Sequence, residues 1–224
     1  MNSTTPSDVT ANPHTGKLAD DVFHAVEMLH IERWNDEYET VLPEAVLEEA
    51  LEAHDRYPRK RLIVHFMQPH RPYLGPTGQQ LKEDFDLDGF NREVYAKETS
   101  GIRDENAFSA LVERGEIPVP MVRSAYRENL DIVLETVEEL VEDLSGKTVI
   151  SADHGEMLGE RITPFTSPKF GHSPEYFKNS DLFIVPWLEI ESSTRRTIEP
   201  DEPIAIERGS EEEVEDRLQA LGYC

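Results

Sequence analysis

The strongest constraint on the fold is a long helix that runs almost directly into a strand. Val122, Tyr126, Leu130, Val133, Leu134, Val137, Leu140, Val141 and Leu144 recur at three- and four-residue intervals. Val119 to Leu144 is therefore predicted to be one helix with an apolar stripe and an acidic opposite face. Ser145-Gly146 ends it, and the β-branched run Thr148 to Ser151 follows as a buried strand. A second helix opens at Pro43 with Val46, Leu47, Ala50 and Leu51 on one face, and ends near Tyr57-Pro58. It leads to a second buried strand, Leu62 to Met67. A third, Leu182 to Ile190, contains Pro186, which implies an edge or a bulge. This alternation predicts an α/β fold with a largely parallel sheet.

The remaining segments are less regular. Residues 1–20 read as a loose N-terminus or a strand remnant ending at Ala11-Asn12-Pro13. Asp21 to Trp34 fits a strand or a short helix equally well. The main domain is placed at 21–200, with 74–117 as an inserted helical lobe or excursion. Residues 201–224 form an acidic tail, in which Ser210-Glu211-Glu212-Glu213 is a capping box for an amphipathic helix through Val214, Leu218 and Leu221.

Charge excludes whole classes of partner. Asp and Glu outnumber Lys and Arg 46 to 22, for a formal net charge of −24. Nucleic acid and anionic membrane surfaces both demand a basic footprint, so neither is expected as a partner. The acidity is dispersed along the chain, and Arg outnumbers Lys 15 to 7. That pattern fits a halophilic protein working at high salt, where self-repulsion is screened. Cys224 is the sole cysteine, so no intrachain disulfide can form. No apolar run reaches the ~20 residues of a membrane span, and no signal pattern is present, so a cytoplasmic location is expected.

Three polar clusters carry chemistry. Asp153, His154, Gly155 and Glu156 follow the strand Thr148 to Ser151, and Asp-His offers a hard oxygen beside a borderline nitrogen, two metal ligands in one turn. The alternative is a polar turn with Asp153 as a helix cap. His65 to Tyr73 follows the second strand. His65 within that strand is a core histidine or a functional one, and His70 is held in a loop between Pro69 and Pro72. Gly171-His172 is the third cluster. His14, His24, His30 and His54 have no such context. A parallel sheet would bring the three clusters to one edge, where open α/β sheets bind ligands.

These motifs also carry a family resemblance. Ala152 to Glu160, Ala-Asp-His-Gly-Glu-Met-Leu-Gly-Glu, resembles the second metal-binding motif of sulfatases in the alkaline phosphatase superfamily. His65 to Tyr73, His-Phe-Met-Gln-Pro-His-Arg-Pro-Tyr, resembles that group's histidine motif. Gly171-His172, with Tyr176 and Val185-Pro186-Trp187-Leu188, resembles the approach to its next core strand. The closing Leu218 to Tyr223 is similar to the tails of sulfatase-like proteins from halophilic archaea.

The resemblance implies a three-layer sandwich of the alkaline phosphatase type, Asp153 and His154 as metal ligands, and His70 and His172 as groups that bind the sulfate or phosphate. His172 stands where many sulfatases have Lys. The implied cofactor is a divalent ion (Zn, Mn, Ca or Mg), and His154 in place of the usual Asn leans towards Zn²⁺ or Mn²⁺. The implied substrate is a small sulfate or phosphate ester.

Family enzymes also carry an apolar strand ending in metal-binding Asp, then a nucleophile in Cys/Ser-x-Pro-x-Arg or an unmodified Thr or Ser. No such motif is present here, and Asp20-Asp21 lacks the apolar strand. The resemblance therefore implies an N-terminally truncated relative with no catalytic nucleophile identified. Two functions follow: a metal-dependent ester hydrolase with an impaired site, or a non-catalytic sulfatase-like binding or truncated protein. Removal of an N-terminal strand would also leave a sheet edge through which the chain could form an oligomer.

Overall fold

A computed structural model describes residues 5–12, 15, 22–85, 87, 102–172 and 180–204. The fold is mixed α/β. Its centre is a parallel sheet of three strands, β1 (Ser7–Thr10), β2 (Val26–Met28) and β5 (Leu62–His65), in the order β2-β1-β5. A short helix α1 (Leu29–Glu32) and a two-stranded antiparallel ribbon of β3 (Trp34–Asn35) with β4 (Thr40–Val41) follow β2 and lead to helix α2 (Pro43–Arg56). Helices α3 (Pro76–Phe85), α4 (Ile102–Glu113) and α5 (Val119–Asp143) follow β5. Strand β6 (Thr148–Ser151) then pairs antiparallel with β9 (Trp187–Ile190), and β7 (Met157–Glu160) with β8 (Lys169–Gly171).

Residues 7–10, read from the sequence as loose or a strand remnant, are the central strand. All four are buried, and β1 is parallel to both neighbours, with Val9 opposite Glu27 and Val64. The odd-numbered face carries Val9, which packs with Leu62 and Val64 against Val46, Leu47 and Ala50 of α2. The even face is polar, with Asp8, Thr10 and His65, so the strand lacks the apolar run that marks a buried strand in sequence. Thr10 is satisfied locally: its hydroxyl accepts the Asn12 amide at 3.0 Å and shares a hydrogen bond with Thr15 at 3.2 Å.

The two long helices form where the periodicity predicts, each with Pro near its start, where an amide would have no intrahelical partner. The buried face of α5 is Val122, Ala125, Asn129, Val133, Thr136 and Leu140, rotated from the predicted stripe so that Leu134 is left exposed. This helix joins two cores. Leu140 belongs to the cluster around β1 and α2, whereas Val122 and Ala125 meet Tyr73, Leu81, Phe108, Val112, Ile117 and Phe170 in a second. The segment 74–117 is thus built on the first half of α5.

The expected large parallel sheet reduces to three strands. Thr148–Ser151 and the 187–190 strand pair with each other, antiparallel and without full burial. The predicted buried strand at 182–190 is shorter than expected: Ser180–Leu182 is a 3₁₀ turn, and Phe183, Ile184, Trp187 and Leu188 are exposed. Pro186 supplies no ladder amide, which fits a strand beginning at Trp187. Asp21 to Trp34 contains both a strand and a short helix. Asp20-Asp21 and the predicted helix beyond Ser210 lie outside the described residues. No helix among the described residues is long and apolar enough to cross a membrane.

Asp8 makes the central strand pH-sensitive. Its carboxyl is buried, Oδ1 has no hydrogen-bond partner among the described residues, and burial pushes its pKa up to about 7. The folded state favours the neutral acid, so the stability advantage is complete below the unfolded pKa near 4. It is lost as pH rises towards 7. Asp8→Asn should flatten the loss between pH 4 and 7 and stabilise the protein at pH 8 by up to about 4 kcal/mol. Denaturant midpoints across that range measure this, and equal slopes for both proteins would refute it.

Candidate functional site

The carboxyl end of β5 leads through His65 into the loop that carries His70. Both prolyl bonds of this loop, Gln68-Pro69 and Arg71-Pro72, are cis. The loop is anchored to α5 by Asn129, which is fully buried. Its Nδ2 donates to the carbonyls of His70 (2.9 Å), Pro69 (3.1 Å) and, more weakly, Pro72 (3.4 Å), while Oδ1 accepts the Leu74 amide at 3.0 Å. Two amide hydrogens thus serve three carbonyls. The neighbouring Glu128 takes the Thr77 amide (2.8 Å) and hydroxyl (2.5 Å), placing a carboxylate on the first turn of α3.

The Asp-His turn leaves β6 and enters β7, so no helix follows for Asp153 to cap. The Asp153 Oδ1 accepts the next amide, that of His154, at 3.0 Å. The Gly155 amide donates to the Leu182 carbonyl (3.0 Å), tying this turn to the 3₁₀ segment. The β7–β8 hairpin then returns the chain so that His172 stands beside the turn. Gly171, at φ +84°, supplies the left-handed conformation needed there.

The three predicted clusters meet. The His154 and His172 rings lie 4.4 Å apart and the His70 and His172 rings 5.4 Å apart, centroid to centroid. Ligand atoms of His154, Glu156 and His172 all lie within 4.8 Å of one another. Asp153 stands beside this group, with Oδ2 3.7 Å from His154 Nε2 and a side chain 61% exposed. Glu156 is more enclosed, at 17% exposed.

Hydrogen bonds fix the state of each ring. The Nδ1 of His70 meets the Arg71 carbonyl at 2.7 Å, that of His154 the Gly155 carbonyl at 2.9 Å, and that of His172 the Glu156 carboxylate at 3.0 Å. These partners can only accept, so each Nδ1 carries the proton. The neutral ring then presents the Nε2 lone pair, as a metal ligand requires. Protonated, the same nitrogen presents an N–H to an anion.

The surroundings are titratable as well. His65 is held below the ordinary histidine value, first by burial, and the Asp153 charge only partly offsets this. The Tyr126 hydroxyl is pushed up to about 12 by burial and then by the Glu156 and Asp153 charges. Tyr73 is shifted further in the same direction, chiefly by its own burial. His65 is therefore within electrostatic reach of Asp153 and His154. Glu156, Tyr126 and Asn129 are not evident as site residues from sequence alone. Glu156 carried a signal, since it belongs to the Asp-His-Gly-Glu tetrad.

No protein-family model matches the chain, and neither does any curated protein or solved structure.

Replacing Asn129 tests the anchor. Asn129→Leu retains the volume but strands a buried amide and several carbonyls, each costing about 1–3 kcal/mol. A loss of about 3 kcal/mol or more in urea denaturation is expected, with altered His70 imidazole NMR signals. A loss below 1 kcal/mol would show that the loop holds itself.

Proposed function

We propose that this chain is a sulfatase-like, metal-dependent hydrolase of small sulfate or phosphate esters, with an impaired site that lacks a covalent nucleophile. The observation that carries the reading is the convergence of His70, His154 and His172 from three separate loops, with Glu156 bonded to His172 and grouped with His154 and His172. These are the loops in which the resemblance places the metal and the anion. The small parallel sheet with α2 on one face is compatible with part of a three-layer sandwich of the alkaline phosphatase type.

The donor set suits a metal ion. Two imidazole nitrogens and a carboxylate oxygen form a His₂Glu set, which favours Zn²⁺ or Mn²⁺ over Ca²⁺ or Mg²⁺, whose preferred ligands are oxygens. Asp153 is a candidate fourth ligand. An ion held here would polarise an ester oxygen and lower the pKa of a bound water. His70 stands beside this set rather than within it, and in its protonated form it donates to a sulfate or phosphate oxygen. The Nδ1 bond to the Gly155 carbonyl orients His154 before any ion arrives, whereas Glu156 and His172 would exchange their mutual hydrogen bond for the ion. With no catalytic nucleophile identified in the sequence, a bound water is the group that such an ion would activate.

Metal-depleted protein at high salt should take up one Zn²⁺ or Mn²⁺ per chain in calorimetric titration. His154→Ala, Glu156→Ala and His172→Ala should each weaken binding by about tenfold or more. The loaded protein should hydrolyse 4-nitrophenyl sulfate or phosphate slowly, and a chelator should stop it. A folded sample that neither binds metal nor turns over either ester would overturn the hydrolase reading. Metal and ester binding without turnover would favour a non-catalytic binding protein.

A further inference from the structure

Beside His70 lies a cavity of about 30 Å³, walled by Tyr38, Arg71, Tyr73, Gln79, Leu81 and Phe108 among others. That is room for about two waters, roughly the size of a carboxylate. Arg71 rests on the Phe108 ring, with Cζ 4.5 Å from its centroid. A guanidinium on an aromatic face keeps its N–H groups for partners in its own plane.

No carboxylate among the described residues pairs with Arg71, in a chain with 46 acidic residues. Arg56, by contrast, lies within 3.4 Å of oxygens from three glutamates. Lys82, also on the cavity wall, is held by Glu39 at 3.0 Å. The Tyr38 hydroxyl has no hydrogen-bond partner among the described residues, so two side chains that can donate line one small space. Arg71 and Tyr73 line the cavity, and they directly follow His70 and Pro72 in the loop whose His70 ring lies 5.4 Å from that of His172.

Resting on the ester-hydrolase reading, we infer that this cavity is a subsite for a second anionic oxygen group on the substrate. Arg71 grips it through its N–H groups and Tyr38 donates a further hydrogen bond. The site would thus select esters that carry an acid function beyond the reacting sulfate or phosphate. An uncharged alcohol portion would leave Arg71 without a partner.

The test is calorimetric binding of phenyl phosphate and of 3-carboxyphenyl phosphate to the Zn²⁺-loaded full chain, in one buffer at high salt. The carboxylated ester should bind about tenfold tighter or more. Arg71→Gln should abolish most of that ratio, and Tyr38→Phe should reduce it by a smaller factor. Arg71→Lys should keep part of it, because the charge survives without the fork. Equal affinities in the unaltered protein, or a ratio untouched by Arg71→Gln and Tyr38→Phe, would overturn the subsite while leaving the hydrolase reading intact. A preserved ratio with no turnover of either ester would support the subsite and remove the hydrolase reading. Failure of both esters to bind at millimolar concentration would overturn both.

Discussion

The site depends on one buried amide. Asn129 sits on the inward face of α5, between the part of that helix that packs with Leu81 and Phe108 and the part that packs near Val9 and α2. A polar side chain costs free energy at such a position unless every group on it is paired. Here the pairing runs to the backbone of residues 69–74, and those groups would be hard to satisfy otherwise, because two prolines keep the segment out of any ladder. Each side satisfies the other. The position of His70 is therefore set by a residue nearly sixty positions later in the chain.

Charge shapes what such a site can attract. Asp153 and Glu156 lie on a protein of net charge −24, so the field draws cations towards the histidine cluster and repels anionic esters at low salt. High salt screens that repulsion over distances beyond about 3 Å at 1 M. Contacts at van der Waals range survive better. The most exposed ion pairs, such as Arg56 with Glu52, are largely solvated and contribute little individually to stability. Burial of apolar side chains along α5 contributes more.

The sequence made some of this legible and concealed the rest for physical reasons. α2 and α5 follow from periodicity and β5 and β6 from β-branched runs, whereas the three loops meet although only β5 belongs to the parallel sheet. β1 was hidden because a central strand with one polar face has no apolar run to betray it. Thr10 and Asp8 resemble turn residues until their neighbours Val26, Ile63 and His65 are known. Asn129 escapes notice because apolar periodicity passes over a polar residue within the stripe. The 187–190 segment is mostly apolar, which predicts burial, but it pairs only with β6 among the described residues and stays largely exposed.

Asp153 and Glu156 show how far a motif can be taken without geometry. In sequence Asp153 is the obvious ligand, since it directly precedes His154. Glu156 looks like the first polar residue of the next element. The reversal into β7 changes this: Glu156 faces back to His172, which arrives from β8, and their hydrogen bond orients both ligand candidates at once. Asp153 stays at the rim, more than half exposed, where its charge acts on His65 and Tyr126. A carboxylate that is enclosed and bonded to an imidazole is held in place at less entropic cost than one in solvent. The geometry therefore assigns the inner role to Glu156, and the hairpin that places it there is visible only once β7 and β8 are paired.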